Sequence, residues 1–232
     1  VTIQTTVPGV PSITAALVSQ SDISPTGYQA NGSSNCPTCI QGNTTSPIFG
    51  LVEEFIFEST PVTLNGIPPA TGWIFSWGTC CRSADLTNIV GAGGIGFSLQ
   101  AKMFSYNGQN ANPCFDSSPR FAEKPNSIIC TGLPITYQHF AVDTEMDSLV
   151  YEFEAPLDDA GTAIPYANGF SVQNPLPDPV VLNSATGECS FISTTGGYYA
   201  MVIAVSSYKC GILVSEIRRE INVLISNNCP SI

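Results

Sequence analysis

Short stretches in which hydrophobic and polar residues alternate recur along most of the chain, and this alternation is the pattern of half-buried β-strands. The clearest stretch places Trp73, Phe75 and Trp77 on one face, and it holds both tryptophans of the chain. We therefore expect this strand at the centre of a first core. Further strands are predicted at 51–58, 61–64, 95–103, 128–130, 135–140, 149–153, 180–182 and 189–192.

Two longer apolar stretches lie in the last quarter of the chain. Residues 198–206 are apolar on both faces, as in a central strand, and a turn at Lys209, Cys210 and Gly211 leads into a predicted strand at 212–225. No segment keeps a helical period over three turns. Short strands with frequent turns predict an all-β fold of two tandem β-sandwich domains, the second immunoglobulin-like or cadherin-like.

A domain boundary is predicted at 118–125, where two prolines and a charge cluster interrupt the strand rhythm. This gives an N-terminal β-sandwich at 1–125 and an immunoglobulin-like or cadherin-like domain at 126–232. Residues 1–47 are rich in Thr, Ser, Pro, Asn and Gly. They form either a linker with one or two edge strands or an extended arm that pairs with the sheet edge of a neighbouring subunit.

The charge content of the chain excludes some partners. Only 11% of the residues are charged, and 7 basic against 18 acidic residues give a net charge of -11. Phosphate binding needs clustered Lys and Arg, so we expect neither nucleic acid nor an anionic membrane surface as a partner. No apolar run approaches the roughly 20 residues of a membrane helix, so we also expect no membrane insertion.

Nine cysteines in a chain with few charges indicate an oxidising, extracellular compartment, and the odd number leaves at least one thiol without a partner in the chain. Disulfides are favoured for the Cys36 and Cys39 pair over a redox or zinc site. Cys80 and Cys81 are neighbours, and each is predicted to reach a distant partner such as Cys36 or Cys39. The disulfide candidates are Cys36, Cys39, Cys80, Cys81, Cys114, Cys130, Cys189 and Cys210.

A cluster of three carboxylates, Asp143, Glu145 and Asp147, occupies alternate positions and can be aimed at one point. Hard oxygen ligands favour Ca2+, so a structural calcium ion is one hypothesis. The alternative is a solvated acidic turn neutralised by Arg218 or Arg219. An EF-hand is excluded because Ser148 stands where the glycine of the sharp turn belongs.

Motifs for catalysis and for organic cofactors are weak. Residues 91–96 match G-x-G-x-x-G, but a strand pattern follows in place of the helix that a dinucleotide site requires. His139 is the only histidine, and neither G-x-S-x-G nor H-E-x-x-H occurs. We predict no organic cofactor, no catalytic residue and no enzyme, with His139 as a strand-end residue hydrogen-bonded to its neighbours.

Over roughly residues 51–229, the chain resembles modules of very large cell-surface proteins of Bacteroidota. These are gliding-motility-associated, adhesin-like proteins exported by the type IX secretion system, and they often carry PKD or cadherin-like repeats. The resemblance rests on 73–77 running into Cys80-Cys81-Arg82 and on 139–143 leading to 147–151. Further matching segments are 117–121, 129–130, 166–170, 174–177, 185–187 and 217–221.

The resemblance implies an extracellular, cell-surface location and a structural or adhesive role, with other copies or modules of the same assembly as partners. Surface polysaccharide is a further expected partner. Two alternatives stay open: a self-assembling filament or sheath subunit joined by strand donation from the N-terminal arm, and a carbohydrate-binding module suggested by the Trp and Tyr content. The chain departs from the family at 143–147, where Asp-Pro-Asp-Gly-Asp is usual, and in Cys189 and Cys210, which are additions expected to pair with each other.

Overall fold

The computed structural model describes residues 1–22, 53–110, 116–124 and 128–227. These residues form β-strands and one short 3-10 helix, Ala92–Gly94, and no α-helix. The strands are β1 (Thr2–Val7), β2 (Val10–Thr14), β3 (Ala16–Asp22), β4 (Glu53–Glu58), β5 (Trp73–Thr79), β6 (Phe97–Met103), β7 (Arg120–Phe121), β8 (Ile128–Cys130), β9 (Pro134–Gln138), β10 (Ala141–Val142), β11 (Ser148–Phe153), β12 (Val180–Leu182), β13 (Glu188–Ile192), β14 (Gly197–Lys209) and β15 (Ile212–Ser226). The all-β prediction is confirmed.

The chain divides into two compact units, one of Val1–Ile3 with Ser12–Thr63 and one of Gln4–Pro11 with Leu64–Ile232. In the smaller unit, β3 and β4 pair antiparallel as a two-stranded ribbon, with Leu17 opposite Phe57. Large apolar side chains of this ribbon lie in solvent: Leu17, Val18, Phe55, Ile56 and Phe57 are 38 to 53% exposed. A two-stranded ribbon is only marginally stable by itself, because its apolar side chains have no second layer to pack on. Contacts with a further element or partner would bury these side chains and stabilise the ribbon.

The larger unit is built on a long hairpin. β14 and β15 pair antiparallel from Gly197 opposite Ile225 to Lys209 opposite Ile212. Cys210 and Gly211 form the two-residue turn, with φ of 49° and 81°. Right-handed strand twist favours left-handed residues in such a turn, which explains the glycine. The predicted hairpin is therefore confirmed.

The hairpin belongs to an eight-stranded sheet in the order β11-β14-β15-β6-β5-β1-β2, with β8 also paired to β15. A separate three-stranded sheet has the order β12-β13-β9. Side chains from both sheets share one core, as in a β-sandwich. Its buried members are Ile129, Ala141, Tyr151, Leu176, Val180, Cys189, Phe191, Tyr199, Met201, Ile203, Val205, Ile221, Val223 and Ile225.

The opposite face of β14 is also buried, as the apolar pattern at 198–206 predicts. Leu86, Ile89 and Ala92 pack there on Ala200. Asn88 continues the hydrogen-bond ladder where β11 ends: its Nδ2 donates to the Ala200 carbonyl (2.7 Å), and its Oδ1 accepts from the Ala200 N–H (2.9 Å). This side chain therefore satisfies backbone groups that a neighbouring strand would otherwise satisfy.

The predicted boundary at residue 125 does not correspond to the division in the structure. β6, from the predicted first domain, pairs with β15, from the predicted second, at Met103 and Ser215. The predicted junction contains β7, which pairs with β10, and Phe121 packs on the sandwich core. Prolines interrupt a strand locally, but pairing between distant strands decides where one folding unit ends.

Two local predictions also differ from the structure. Residues 61–64 form no strand. On β6 the apolar residues are not the buried ones, since Leu99 is 38% exposed whereas Ser98 is buried. The glycine-rich residues 91–96 are followed by a strand, β6, as predicted, and not by the helix that a dinucleotide site requires. Within the described ranges, no helix has the length and apolarity to cross a membrane.

Candidate functional site

The acidic turn between β10 and β11 is organised by its first carboxylate. Asp143 Oδ1 accepts hydrogen bonds from the backbone N–H groups of Glu145 and Asp147, both at 3.0 Å. Its Oδ2 accepts from the Ser207 hydroxyl at 3.2 Å. Both oxygens of Asp143 therefore hold the turn and attach it to β14.

The second carboxylate points to a different partner. Glu145 accepts from the backbone N–H of Ser117 at 3.0 Å and from its hydroxyl at 3.1 Å. Glu145 thus fastens the turn to the segment before β7. Because each carboxylate of the turn has its own protein partners, alternate spacing along the chain does not by itself bring their oxygens to one point.

A lysine from the end of β14 supplies the positive charge at the turn. Lys209 Nζ lies 2.9 Å from Asp116 Oδ1 and 3.6 Å from Asp147 Oδ2. The hydrogen bond to Asp116 raises the pKa of Lys209. Burial, and next the hydrogen bond with Asp116, raise the pKa of Asp147.

The expected role of Arg218 or Arg219 at this turn is not what the structure shows. Arg218 pairs with Glu154 at 3.0 Å, and Arg219 Nη2 donates to the Glu123 carbonyl. Lys209 takes the role because the antiparallel pairing of β11 with β14 places Ser148 opposite Tyr208, which brings the next residue, Lys209, level with Asp147. No cluster of three His, Cys, Asp or Glu residues suited to a metal ion occurs in the part of the chain that the structure describes. The Ca2+ site at Asp143, Glu145 and Asp147 stays a prediction.

Replacing Lys209 by Met should lower the free energy of unfolding by about 1–2 kcal/mol, because Asp116 and Asp147 lose the cation that compensates them. The measurement is urea unfolding followed by circular dichroism, with and without added CaCl2. We expect Ca2+ to stabilise Lys209→Met more than the native chain, since the carboxylates are then free to bind it. Lys102→Met, which removes a more exposed ion pair with Glu216, is the control. A Ca2+ effect equal in all three proteins would contradict the expectation.

The described cysteines pair differently from the prediction. Cys80 and Cys81 are bonded to each other, where distant partners were expected. Their Cα atoms lie 3.1 Å apart, across a cis peptide bond. Cys130 is disulfide-bonded. Cys36, Cys39 and Cys114 lie outside the described residues.

The expected bond between Cys189 and Cys210 is absent, and both are free thiols. Cys189 lies in the sandwich core on β13, whereas Cys210 is exposed in the turn of the β14–β15 hairpin. Burial raises the pKa of the Cys189 thiol to about 12, so this residue is an inert core side chain.

The single histidine directly follows the end of β9, as predicted, and its backbone N–H donates to the Gly187 carbonyl, but its ring is buried without the predicted hydrogen bonds. His139 is 0% exposed, and neither ring nitrogen has a hydrogen-bond partner. Its ring packs edge-on against Tyr137, with 4.8 Å between centroids. Burial, and next the charge of Arg219, lower the pKa of His139 to about 3. The imidazole is therefore neutral at physiological pH, and among the described residues neither a serine hydroxyl nor a carboxylate forms a hydrogen bond with its ring.

Sequence reasoning did not find the ion pair between Arg82 and Glu220. Arg82 Nε and Nη2 donate to the two carboxylate oxygens at 2.7 and 2.8 Å, and Nη2 also donates to the Leu157 carbonyl at 2.6 Å. Arg82 Nη1 donates to the Gly96 carbonyl. The available signal was the cluster of charged residues at 216–220 inside a predicted strand, which does not indicate the partner of Glu220. Its partner lies 138 positions earlier in the chain, beyond the reach of local patterns.

In comparisons with known proteins, no protein family, no curated protein and no solved structure matches this chain. The resemblance to surface modules of Bacteroidota accordingly stays a prediction from the residues.

Proposed function

We propose that this chain is a non-catalytic structural and adhesive module of an extracellular, cell-surface assembly. The observation that carries the proposal is the exposed apolar surface of the β3–β4 ribbon, formed by Leu17, Val18, Phe55, Ile56 and Phe57. Soluble chains seldom expose large neighbouring apolar side chains unless a partner covers them. The proposed partner is another copy, or another module, of the same assembly.

The composition supports the proposed location and the absence of catalysis. Nine cysteines and few charges suit an oxidising compartment, and at least three of the described cysteines are disulfide-bonded. His139, the residue on which a catalytic triad would have to be built, is enclosed and neutral. An immunoglobulin-like or cadherin-like type for the sandwich that these two sheets form is part of this proposal, supported by antiparallel strands whose side chains share one core.

A second candidate is a filament or sheath subunit joined by strand donation. The supporting observation is that β1 pairs with β5 over only two residue pairs, Gln4 with Ser76 and Thr5 with Phe75. So short a ladder could be exchanged with a neighbouring copy at small cost. Deleting residues 1–20 should then abolish assembly, because it removes the donated strand β1. Under the ribbon proposal the same deletion weakens assembly only because it also removes most of β3.

A carbohydrate-binding module would present Trp73, Trp77, Tyr198 and Tyr199 as a flat exposed row. Trp73 and Tyr199 are only 2% and 3% exposed, and the other two are half-buried. Aromatic rings that are packed in a core have no free face for a sugar ring. This arrangement favours the adhesive proposal over the carbohydrate-binding one.

Replacing Phe55 and Phe57 by Ser should weaken self-association of the secreted chain by about tenfold or more, because both aromatic side chains would lose their apolar contacts in the interface. Sedimentation velocity over a concentration series measures the effect. Val181→Ser is the matched control, since Val181 is a single exposed apolar residue on β12.

Assembly of the native chain that survives Phe55→Ser/Phe57→Ser would contradict the role of the ribbon. A native chain that stays monomeric at every concentration would contradict contacts between copies. Electron microscopy and intact-mass analysis of the protein from its source cells would then separate a repeated subunit from one module of a much larger polypeptide.

A further inference from the structure

Arg219 occupies an unusual place on β15. Alternate residues of this strand face the sandwich core, where Ile217, Ile221 and Val223 lie on either side of Arg219. The intervening residues face the opposite side, where Glu216 and Glu220 form ion pairs. Arg219 is thus a single cation within the apolar series, and it is only 9% exposed.

No carboxylate compensates this cation among the residues that the structure describes. Arg82 and Arg218 each pair with a glutamate, but Arg219 has one hydrogen bond, from Nη2 to the Glu123 carbonyl at 2.9 Å. Its Nη1 has no partner. The guanidinium lies over the ring of Phe121, 4.8 Å from the centroid. A buried cation without an anion is costly, and the nearest residues on the same face of the strand, Ile217 and Ile221, are apolar.

Two further side chains with buried polar atoms, Tyr137 and His139, lie near the Arg219 guanidinium. Tyr137 lies beside the Arg219 guanidinium, in a side-chain contact that raises the pKa of Arg219, and its buried hydroxyl donates to no acceptor. Beside it, in ring contact, the His139 imidazole has both nitrogens free. Buried polar groups of folded chains are nearly always satisfied, so three such groups together indicate a missing polar species.

We propose that Arg219, Tyr137 and His139 form a binding site for a small carboxylate, between the two sheets of the sandwich. The guanidinium Nη1 and the tyrosine hydroxyl donate to the carboxylate oxygens, and the neutral imidazole supplies a third N–H. A carboxylate fits this set because it is a planar monoanion that accepts several hydrogen bonds, and because it provides the charge that Arg219 lacks.

The surroundings limit the size of the ligand. Arg219 is nine-tenths buried and His139 entirely so, and Phe121 closes one side of the guanidinium. We therefore expect ligands of the size of formate or acetate. The same chemistry could come from the C-terminal carboxylate of a polypeptide, and N-acetylglycine represents that source.

The experiment uses the only histidine of the chain as its reporter. The imidazole signals of the full chain, labelled with 15N, are followed by NMR during titration with sodium formate, sodium acetate or N-acetylglycine, against sodium chloride at equal ionic strength. We expect a saturable shift for formate and acetate with a dissociation constant on the order of millimolar. Tyr137→Phe should weaken binding by about fivefold. Arg219→Met should abolish it, and Tyr198→Phe, on the other face of β14, should leave it unchanged.

Saturation by N-acetylglycine with equal affinity would support the site and identify a polypeptide terminus as its source. Imidazole signals that no carboxylate moves would overturn the proposal, as would the same saturation curve for chloride. If Arg219→Met does not fold, Tyr137→Phe decides: unaltered formate affinity in that variant overturns the assignment.

Discussion

Replacing Glu220 by Gln is expected to lower the free energy of unfolding by about 3–5 kcal/mol, because it leaves the Arg82 guanidinium buried without its counter-charge. The two side chains are 1% and 10% exposed, so water cannot take over the role of the carboxylate. The substitution preserves shape and removes only charge. Gly96 and Leu157 keep their carbonyl contacts with the guanidinium, but two dipoles do not replace an anion.

A matched control lies on the same strand and the same face. Glu216 pairs with Lys102 at 2.7 Å, but these side chains are 27% (Lys102) and 17% (Glu216) exposed. Glu216→Gln should therefore cost at most about 1 kcal/mol. The double variant Arg82→Met/Glu220→Leu should recover most of the loss, since an apolar pair of similar volume avoids the desolvation of both charges.

Urea unfolding followed by tryptophan fluorescence is the suitable measurement, because Trp73 and Trp77 both lie in the larger unit with this ion pair. The slope of the transition should stay unchanged if only stability is altered. Equal losses for Glu220→Gln and Glu216→Gln would contradict the assigned importance of burial. A double variant as unstable as Glu220→Gln would show that the loss comes from packing and not from charge.

Local periodicity predicted the strands well where one face is buried on a shared core. The predicted strands at 180–182 and 128–130 coincide with β12 and β8, and the ends of the two long hairpin strands were predicted to within three residues. Sheet order could not be predicted, because it depends on pairing between distant strands such as β6 with β15. For that reason the predicted boundary at 125 differs from the division observed.

At the acidic turn, the sequence predicted the cluster but not its partners. Asp143 uses Oδ1 to accept from neighbouring backbone N–H groups, which is common for aspartate in turns. Lys209 reaches Asp147 only because β14 pairs antiparallel with β11, with Tyr208 opposite Ser148, and nothing within the local sequence indicates this contact. The same limit applies to Arg219, whose position in an apolar series was visible but whose neighbours Tyr137 and Phe121 come from other strands.

Acid should destabilise the chain through His139, and this is the second large effect that we expect. Burial and the nearby charge of Arg219 depress the pKa of His139 to about 3, against 6.5 for the free side chain. Below pH 6.5 the unfolded chain binds a proton at this position that the folded chain does not bind. Stability contributed by the neutral imidazole is therefore fully present above pH 6.5 and is lost as the pH falls toward 3.

Between pH 7 and pH 4 this single proton is expected to cost about 3 kcal/mol. The variant His139→Leu isolates the effect, because leucine fills a similar volume in an apolar core and does not titrate in this range. Neither imidazole nitrogen has a hydrogen-bond partner, so the substitution leaves no protein group newly unsatisfied. At pH 7 we expect His139→Leu to be at least as stable as the native chain.

The measurement is a series of urea unfolding curves from pH 7 to pH 4 for both proteins in the same buffers. The carboxylates titrate alike in the native chain and in His139→Leu, so the difference in stability between the two proteins reports His139 alone. This difference should grow in favour of His139→Leu by about 1.4 kcal/mol for each pH unit below about 6. Parallel curves over the whole range would mean that His139 takes up its proton at the same pH in the folded chain as in the unfolded chain, and is therefore protonated in the folded chain at pH 4. Arg219 would then need an anion beside it, because two adjacent buried cations repel each other.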